Sequence, residues 1–424
     1  MIVGIVIGAG IFRSPSIVAG NAASISAVYL AWVLGGVMSF LGAIVYAELG
    51  TTYPHAGGDY YYLRRAFGDK LAFLFGWARM SVIQPGAIAA VAFIFGDYAS
   101  QLLSLGGYSS AIYAALSVAV LTGLNIRGVQ LGTGTQNLLT VVLIAGMILV
   151  IFAPFVTGPA ADTTAAGGPP ATSSFGFMML FVLFTYGGWN EAAYVTGELQ
   201  NVRRTLAPVL MISIAVITVL YLLMNWAYIQ ALGLSGVAGS QQVAADLMQR
   251  AFGGFGALAI SITVCCAALS TANATVFTGG RSSYAFGGDF RQFGFLGKWS
   301  AQTGTPANGL LVQGAIALGL VVLGVFTRQG FQTIVEYTAP VFWSFFLITG
   351  IAFFVLRSKD ARVDRPFRVP LYPIPPLLFC IMCAYLLYSS LDYAGVGSLL
   401  GVAVLAVGGL LLLFVHPSMS DTKQ

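Results

Sequence analysis

Of 424 residues, 58% are hydrophobic and 8% charged, and the mean hydropathy is +0.87. A soluble protein carries about 25% charged residues, so this chain has too few to solvate a globular surface and is an integral membrane protein. Apolar stretches far longer than about 20 residues exclude a barrel of short alternating strands. The net charge of +5 follows the loops of a membrane protein rather than a nucleic-acid-binding face.

About twelve membrane-spanning helices are predicted, at roughly 1–19, 24–49, 71–103, 109–126, 134–157, 173–196, 206–232, 254–279, 308–326, 331–356, 374–391 and 395–415. The first span contains GIVIGAGIF (4–12), with Gly4, Gly8 and Gly10. Glycine costs about 1 kcal/mol against alanine inside a helix, so this cluster predicts an interruption. The sixth span, SFGFMMLFVLFTYGGWNEAAYVTGEL, carries Gly187 and Gly188 at its middle. The two breaks lie five spans apart, so one five-span unit is inverted relative to the other, the arrangement that marks a transporter's binding site.

Basic residues segregate between alternate connections. Arg64, Arg65, Lys70, Arg127, Arg203, Arg204, Arg281, Arg291, Lys298 and the basic residues of 357–368 share one side with Lys423; Arg13, Arg250 and Arg328 lie on the other. The positive-inside rule makes the first side cytoplasmic and places both termini there. The longest polar connections are 157–172, 280–307 and 357–373, and 240–253 reads either as a short surface helix or as a plain loop. Cys265, Cys266, Cys380 and Cys383 all fall within spans, where packing is the reading for the CxxC at 380–383. His55 and His416 are too far apart to indicate a metal site, no cofactor is expected, and residues 1–12 have no basic region of a cleavable signal peptide.

An unwound stretch frees backbone groups that hydrocarbon cannot satisfy. At Gly8–Ala9–Gly10 the N–H groups opening the next half-helix suit a carboxylate. Freed carbonyls along Phe184, Thr185, Tyr186 and Gly187 suit an ammonium group. A zwitterion fits the pair; the alternative for either cluster is close helix packing through small residues.

GIVIGAGIF, YPHAGGDYYYLRRAFG at 53–68, FTYGGWN with the following ELQN, and RPFRVPLYPIPP at 365–376 resemble the amino acid–polyamine–organocation superfamily, and within it the L-type amino acid transporters and their prokaryotic relatives. The resemblance implies a LeuT-like all-α membrane fold. Residues 1–157 and 173–356 would form two inverted repeats, with discontinuous first and sixth helices, and 374–415 a peripheral pair. It further implies that Ala9, Gly10 and Ile11 N–H groups bind a substrate carboxylate beside Gly8, that Val6, Phe184 and Gly187 carbonyls take the amino group, that Phe184 closes the site from outside, and that Asn190 borders it.

Two departures bear on coupling and on the start. The family commonly has a lysine where Leu143 stands, in the place of a sodium ion, so no coupling ion carries over; Ser270 and Thr271 are the neighbouring polar candidates, or simply bond their own helix. Only seven residues precede Gly8, about 10 Å of helix, which a truncated chain or an internal start codon would explain.

Charge within the membrane is a functional suspect. Glu191 reads a cationic substrate, carries a proton, faces a water-filled vestibule, or pairs with a polar neighbour. Arg79 near the cytoplasmic end either snorkels or pairs with Glu48 or Glu198, as a cytoplasmic gate or as static interfacial pairing. Trp189 is expected behind the break. The sequence thus predicts a secondary active transporter of small or medium neutral L-amino acids in the cell (inner) membrane, with exchange as one mode. A cationic amino acid or polyamine permease is the alternative, and an ion channel the alternative of another class. No enzyme constellation and no Walker A sequence occur. The outer loop at 103–109 lacks the cysteine through which heteromeric members of the family bind a partner, so no obligatory partner subunit is expected.

Overall fold

The computed structural model describes residues 8–55, 57–128, 133–160, 175–195, 202–327, 330–393 and 396–414. Among them the chain is helical throughout, apart from loops and one isolated bridge between Ser300 and Thr305. Among the described residues nine helices are long and apolar enough to cross a membrane, and two shorter apolar ones accompany them.

A 3-10 turn over Ala9–Phe12 leads into α1 (Ser14–Gly20), so the first span is broken where its glycines predict. Ser24 caps α2 (Ile25–Thr52), its hydroxyl accepting from the Ala27 N–H at 3.2 Å. The connection at 53–68 holds an unforeseen helix, α3 (Asp59–Phe67), with Asp59 in its first turn and Arg64 and Arg65 in its last, as the helix dipole favours. Gly68, at φ +88, ends α3 by returning its N–H to the Arg64 carbonyl.

The third span is two helices, α4 (Asp69–Ala78) and α5 (Gln84–Leu102), joined by a π turn over Arg79–Ile83. Pro85 has no N–H to donate, and the wider turn accommodates the gap. α6 (Ser109–Ile126) and α7 (Thr133–Phe152) follow. The sixth span breaks after α8 (Phe175–Tyr186) and resumes as a 3-10 turn over Trp189–Val195.

Both α9 (Val202–Gly239) and α10 (Val243–Asp289) bend at a glycine of positive φ, Gly233 at 71° and Gly253 at 64°. The segment at 240–253 is thus helical from Val243, with Val243, Leu247 and Met248 buried and Phe252 exposed. α10 also continues to Asp289 instead of stopping at 279. The chain closes with α11 (Ala307–Thr327), α12 (Gly330–Lys359), α13 (Ile374–Asp392) and α14 (Val396–Leu411).

α2 lies along α9, α5 along α10 and α6, and α12 along α13 and α14. Rings of Trp32, Tyr186 and Tyr221 meet at 5.1–5.9 Å between centroids, locking the end of α8 to α2 and α9. Glu48 is committed elsewhere than expected. It takes Arg357 through two contacts of 2.8 Å, Arg365 at 3.4 Å and the Val369 N–H at 2.7 Å, pinning the 357–373 connection. Glu48 is therefore not the partner of Arg79, and Glu198 lies outside the described residues.

Candidate functional site

The two breaks touch. Gly8 is extended (φ −90°, ψ 168°), and the N–H groups of Ala9 and Gly10 open a 3-10 turn of i→i+3 bonds, so they have no acceptor within it. The turn is closed by Arg13 N–H on the Gly10 carbonyl at 3.0 Å and fixed by the Tyr98 hydroxyl on the Phe12 carbonyl at 2.9 Å. Across from it, Gly187 N–H donates to the Phe184 carbonyl at 3.1 Å, leaving that oxygen a second lone pair. Gly188 sits at φ +103, where a side chain is strained, and the chain turns away from α8 there.

Thr185 staples the breaks together: its hydroxyl meets Ser14 Oγ at 2.7 Å and the Phe181 carbonyl at 2.8 Å, and Tyr221 donates to its carbonyl at 3.3 Å. The glycines consequently have different duties. A Cβ on Gly10 would stand 3.1–3.3 Å from Thr185, including its Cα, whereas one on Gly8 would meet nothing among the described residues nearer than 4.0 Å. Gly10 is glycine for close approach, and Gly8 leaves open space.

That space is a cavity of about 200 Å³. Of the residues singled out from sequence, Gly8, Ala9, Gly10, Phe184, Thr185, Gly187, Asn190, Glu191 and Thr271 line it. Ile11 is fully buried in the turn beside it, Ser270 is buried in α10, and Leu143 is buried in α7; none of the three lines the cavity. Val6 lies outside the described residues. Phe184 stands edge-on to Phe331 at 5.5 Å, at the start of α12. Trp189 packs behind the break, edge-on to Tyr46 at 5.2 Å and Phe346 at 5.5 Å.

Sequence reasoning missed the far walls: Gln84, Thr275 and Thr278, and Thr338 with Trp343. Thr271, Thr275 and Thr278 recur at the spacing of one helix face, a legible signal. Thr275 and Thr278 return their hydroxyls to the carbonyls of Thr271 and Thr275 at 2.9 and 3.3 Å, which leaves their methyl groups as much of the wall as their oxygens.

Glu191 has its partner in Arg79, at 2.9 Å, with further contacts at 3.2 and 3.3 Å. The same guanidinium gives Nε to Ser282 Oγ at 3.0 Å and lies 3.9 Å over the Tyr194 ring. Tyr194 in turn donates to Asp59 Oδ2 at 2.9 Å. One buried cation thus ties the π turn, the second half of the sixth span, α10 and α3 together under the cavity.

Burial pushes the Asp59 carboxyl up to about 6, although the Tyr46 and Tyr194 hydroxyls and Arg79 pull it down. A carboxyl whose native pKa exceeds its unfolded value makes the native state take up the proton. Stability is therefore fully present below about pH 4 and falls as pH rises through about 6, by on the order of 3 kcal/mol. Thermal unfolding in detergent from pH 4 to 7 should show this fall, and Asp59→Asn should flatten it; an unchanged slope in the variant would assign it to other groups.

Interrupted helices enclosing a small cavity inside a multi-span helical bundle define a membrane transporter. Residues 1–412 match the amino acid permease family, and the chain belongs to that family. It is 29% identical to the b(0,+)-type amino acid transporter 1 of Rattus norvegicus over 427 residues, 98% of this chain and 86% of that protein. It is 27% identical to the serine/threonine exchanger SteT of Bacillus subtilis, covering 96% of this chain and 93% of SteT. Against the large neutral amino acids transporter small subunit 2 of Mus musculus it is 29% identical, covering 96% and 78%. The chain is a membrane transporter of the amino acid class and not an enzyme.

Proposed function

We propose that this protein exchanges small and medium neutral L-amino acids across the cell (inner) membrane by alternating access around the cavity between its breaks. One observation carries the preference for neutral cargo: Glu191 is the only charged residue lining the cavity among those described, and Arg79 already neutralises it. A cationic amino acid or polyamine would have to displace that guanidinium from a buried pair. The N–H groups of Ala9, Gly10 and Ile11 take the carboxylate, and carbonyls of Phe184 and Gly187, with Val6, take the ammonium. Phe184 on Phe331 forms the outer closure, and Arg79–Glu191 the inner one, next to the arginine-rich α3.

Residues 1–157 and 173–356 act as inverted halves, with 374–415 peripheral and both termini cytoplasmic. The names of its relatives support amino acid cargo, and that of SteT supports exchange. The protein works without an obligatory partner subunit. Leu143 contributes no charge where a coupling cation would stand, and Ser270 and Thr271 offer only neutral oxygens, which favours exchange over ion-driven uptake.

Proteoliposome uptake of labelled amino acids tests this, with and without internal amino acid and with imposed sodium and proton gradients. Neutral amino acids should enter only into preloaded vesicles and regardless of either gradient. Gradient-driven uptake into empty vesicles would remove exchange; preference for lysine would remove neutral cargo.

A further inference from the structure

Gln84 opens α5 directly after the π turn, and it is 3% exposed. It belongs to the cavity wall, yet its Oε1 has no hydrogen-bond partner among the described residues. The π turn explains its direction. In an α-helix, residues five apart diverge by about 140°, but here the Gln84 N–H bonds back to the Arg79 carbonyl, an i→i+5 closure that stacks the two positions. Arg79 and Gln84 therefore project to the same side, one into the ion pair under the cavity and the other into its wall.

Several other polar groups of the wall are already bonded. Glu191 is held by Arg79, Thr185 by Ser14, and the Thr275 and Thr278 hydroxyls by their own helix. The Gln84 carboxamide keeps unused capacity, and turned either way it offers an acceptor or a donor. A buried amide left without a partner is unfavourable until a ligand or water supplies the bond.

We infer that Gln84 reads the side chain of the transported amino acid and selects an uncharged hydrogen-bonding group, a hydroxyl or carboxamide, over an aliphatic chain of the same shape. This rests on the cavity being the amino acid site. Threonine and valine differ by little more than hydroxyl for methyl, so they isolate the contact. A site that hydrogen-bonds a substrate hydroxyl rejects the analogue without it far more strongly than an apolar pocket rejects a missing methylene.

The test is competition of labelled threonine exchange in proteoliposomes by unlabelled threonine and valine. In the wild type, threonine should compete at a concentration about tenfold or more below valine. In Gln84→Met, of similar length but without an amide, the ratio should fall to about one, and an unchanged unfolding temperature in detergent reports that the variant is folded. An unchanged ratio in Gln84→Met overturns the inference. So does equal or better competition by valine in the wild type, a result that needs no variant and leaves amino acid exchange standing. If no amino acid exchanges in the wild type, the proposed function falls and this inference with it.

Discussion

Glu191→Ala is expected to destabilise the protein by about 3–5 kcal/mol and to reduce exchange by at least about tenfold. Arg79 has only 4% of its side chain exposed and divides its donors between Glu191 and Ser282 over the Tyr194 ring. Removing the carboxylate leaves a guanidinium in a site from which water is largely excluded, and that unpaired charge, not the lost attraction, sets the size of the effect. The double variant Arg79→Met/Glu191→Leu should therefore recover most of the stability, since two apolar side chains need no partner. It should not recover exchange, because the tie between the π turn and the second half of the sixth span is gone. Unfolding in detergent and exchange in proteoliposomes separate the outcomes. A double variant that exchanges at the wild-type rate would make the pair a packing feature and remove it from the inner closure.

The parts of this arrangement that a sequence shows are those written in local composition. Gly8, Gly10, Gly187 and Gly188 interrupt runs that are otherwise continuous hydrocarbon, so both breaks are visible without a structure. Pairing across the bundle is not local. Arg79 and Glu191 are 112 positions apart, and Glu48 and Arg357 are 309 apart; from sequence Glu48 is as fair a candidate for Arg79 as Glu191, and only the packed bundle commits it to Arg357 instead. Gln84 was hidden for another reason. Helical phase carried across 71–103 at 100° per residue puts Arg79 and Gln84 on different faces, and only the π turn ahead of Pro85 brings them together. α3 was missed because its nine residues, rich in tyrosine and arginine, carry no apolar run to announce them. The glycine motif was legible as a break but not in its division of labour, because space beside a Cα depends on what packs there.

That division gives the second large effect. Gly8→Val should melt like the wild type yet lose substrate binding. Its backbone is in an extended region open to any residue, and among the described residues a Cβ there meets nothing nearer than 4.0 Å, so the described fold accepts the change. The added methyl groups enter the cavity beside the N–H groups of Ala9 and Gly10, where the carboxylate is assigned. Gly10→Val should instead melt lower, by about 1–3 kcal/mol, because its Cβ comes within 3.1–3.3 Å of Thr185, whose Cα cannot rotate away. Thr185 also holds Ser14 and Tyr221, so pushing it parts the two breaks. The readout is the rise in unfolding temperature on adding a transported amino acid: present in the wild type, absent in Gly8→Val at an unchanged baseline, and measured from a lowered baseline in Gly10→Val. Should Gly8→Val keep the full rise, the carboxylate does not lie at this break, since two methyl groups cannot share its place. Should Gly10→Val keep the wild-type baseline, the approach of the two breaks is looser than the Thr185 contact requires, and the glycine there would answer to the ligand after all.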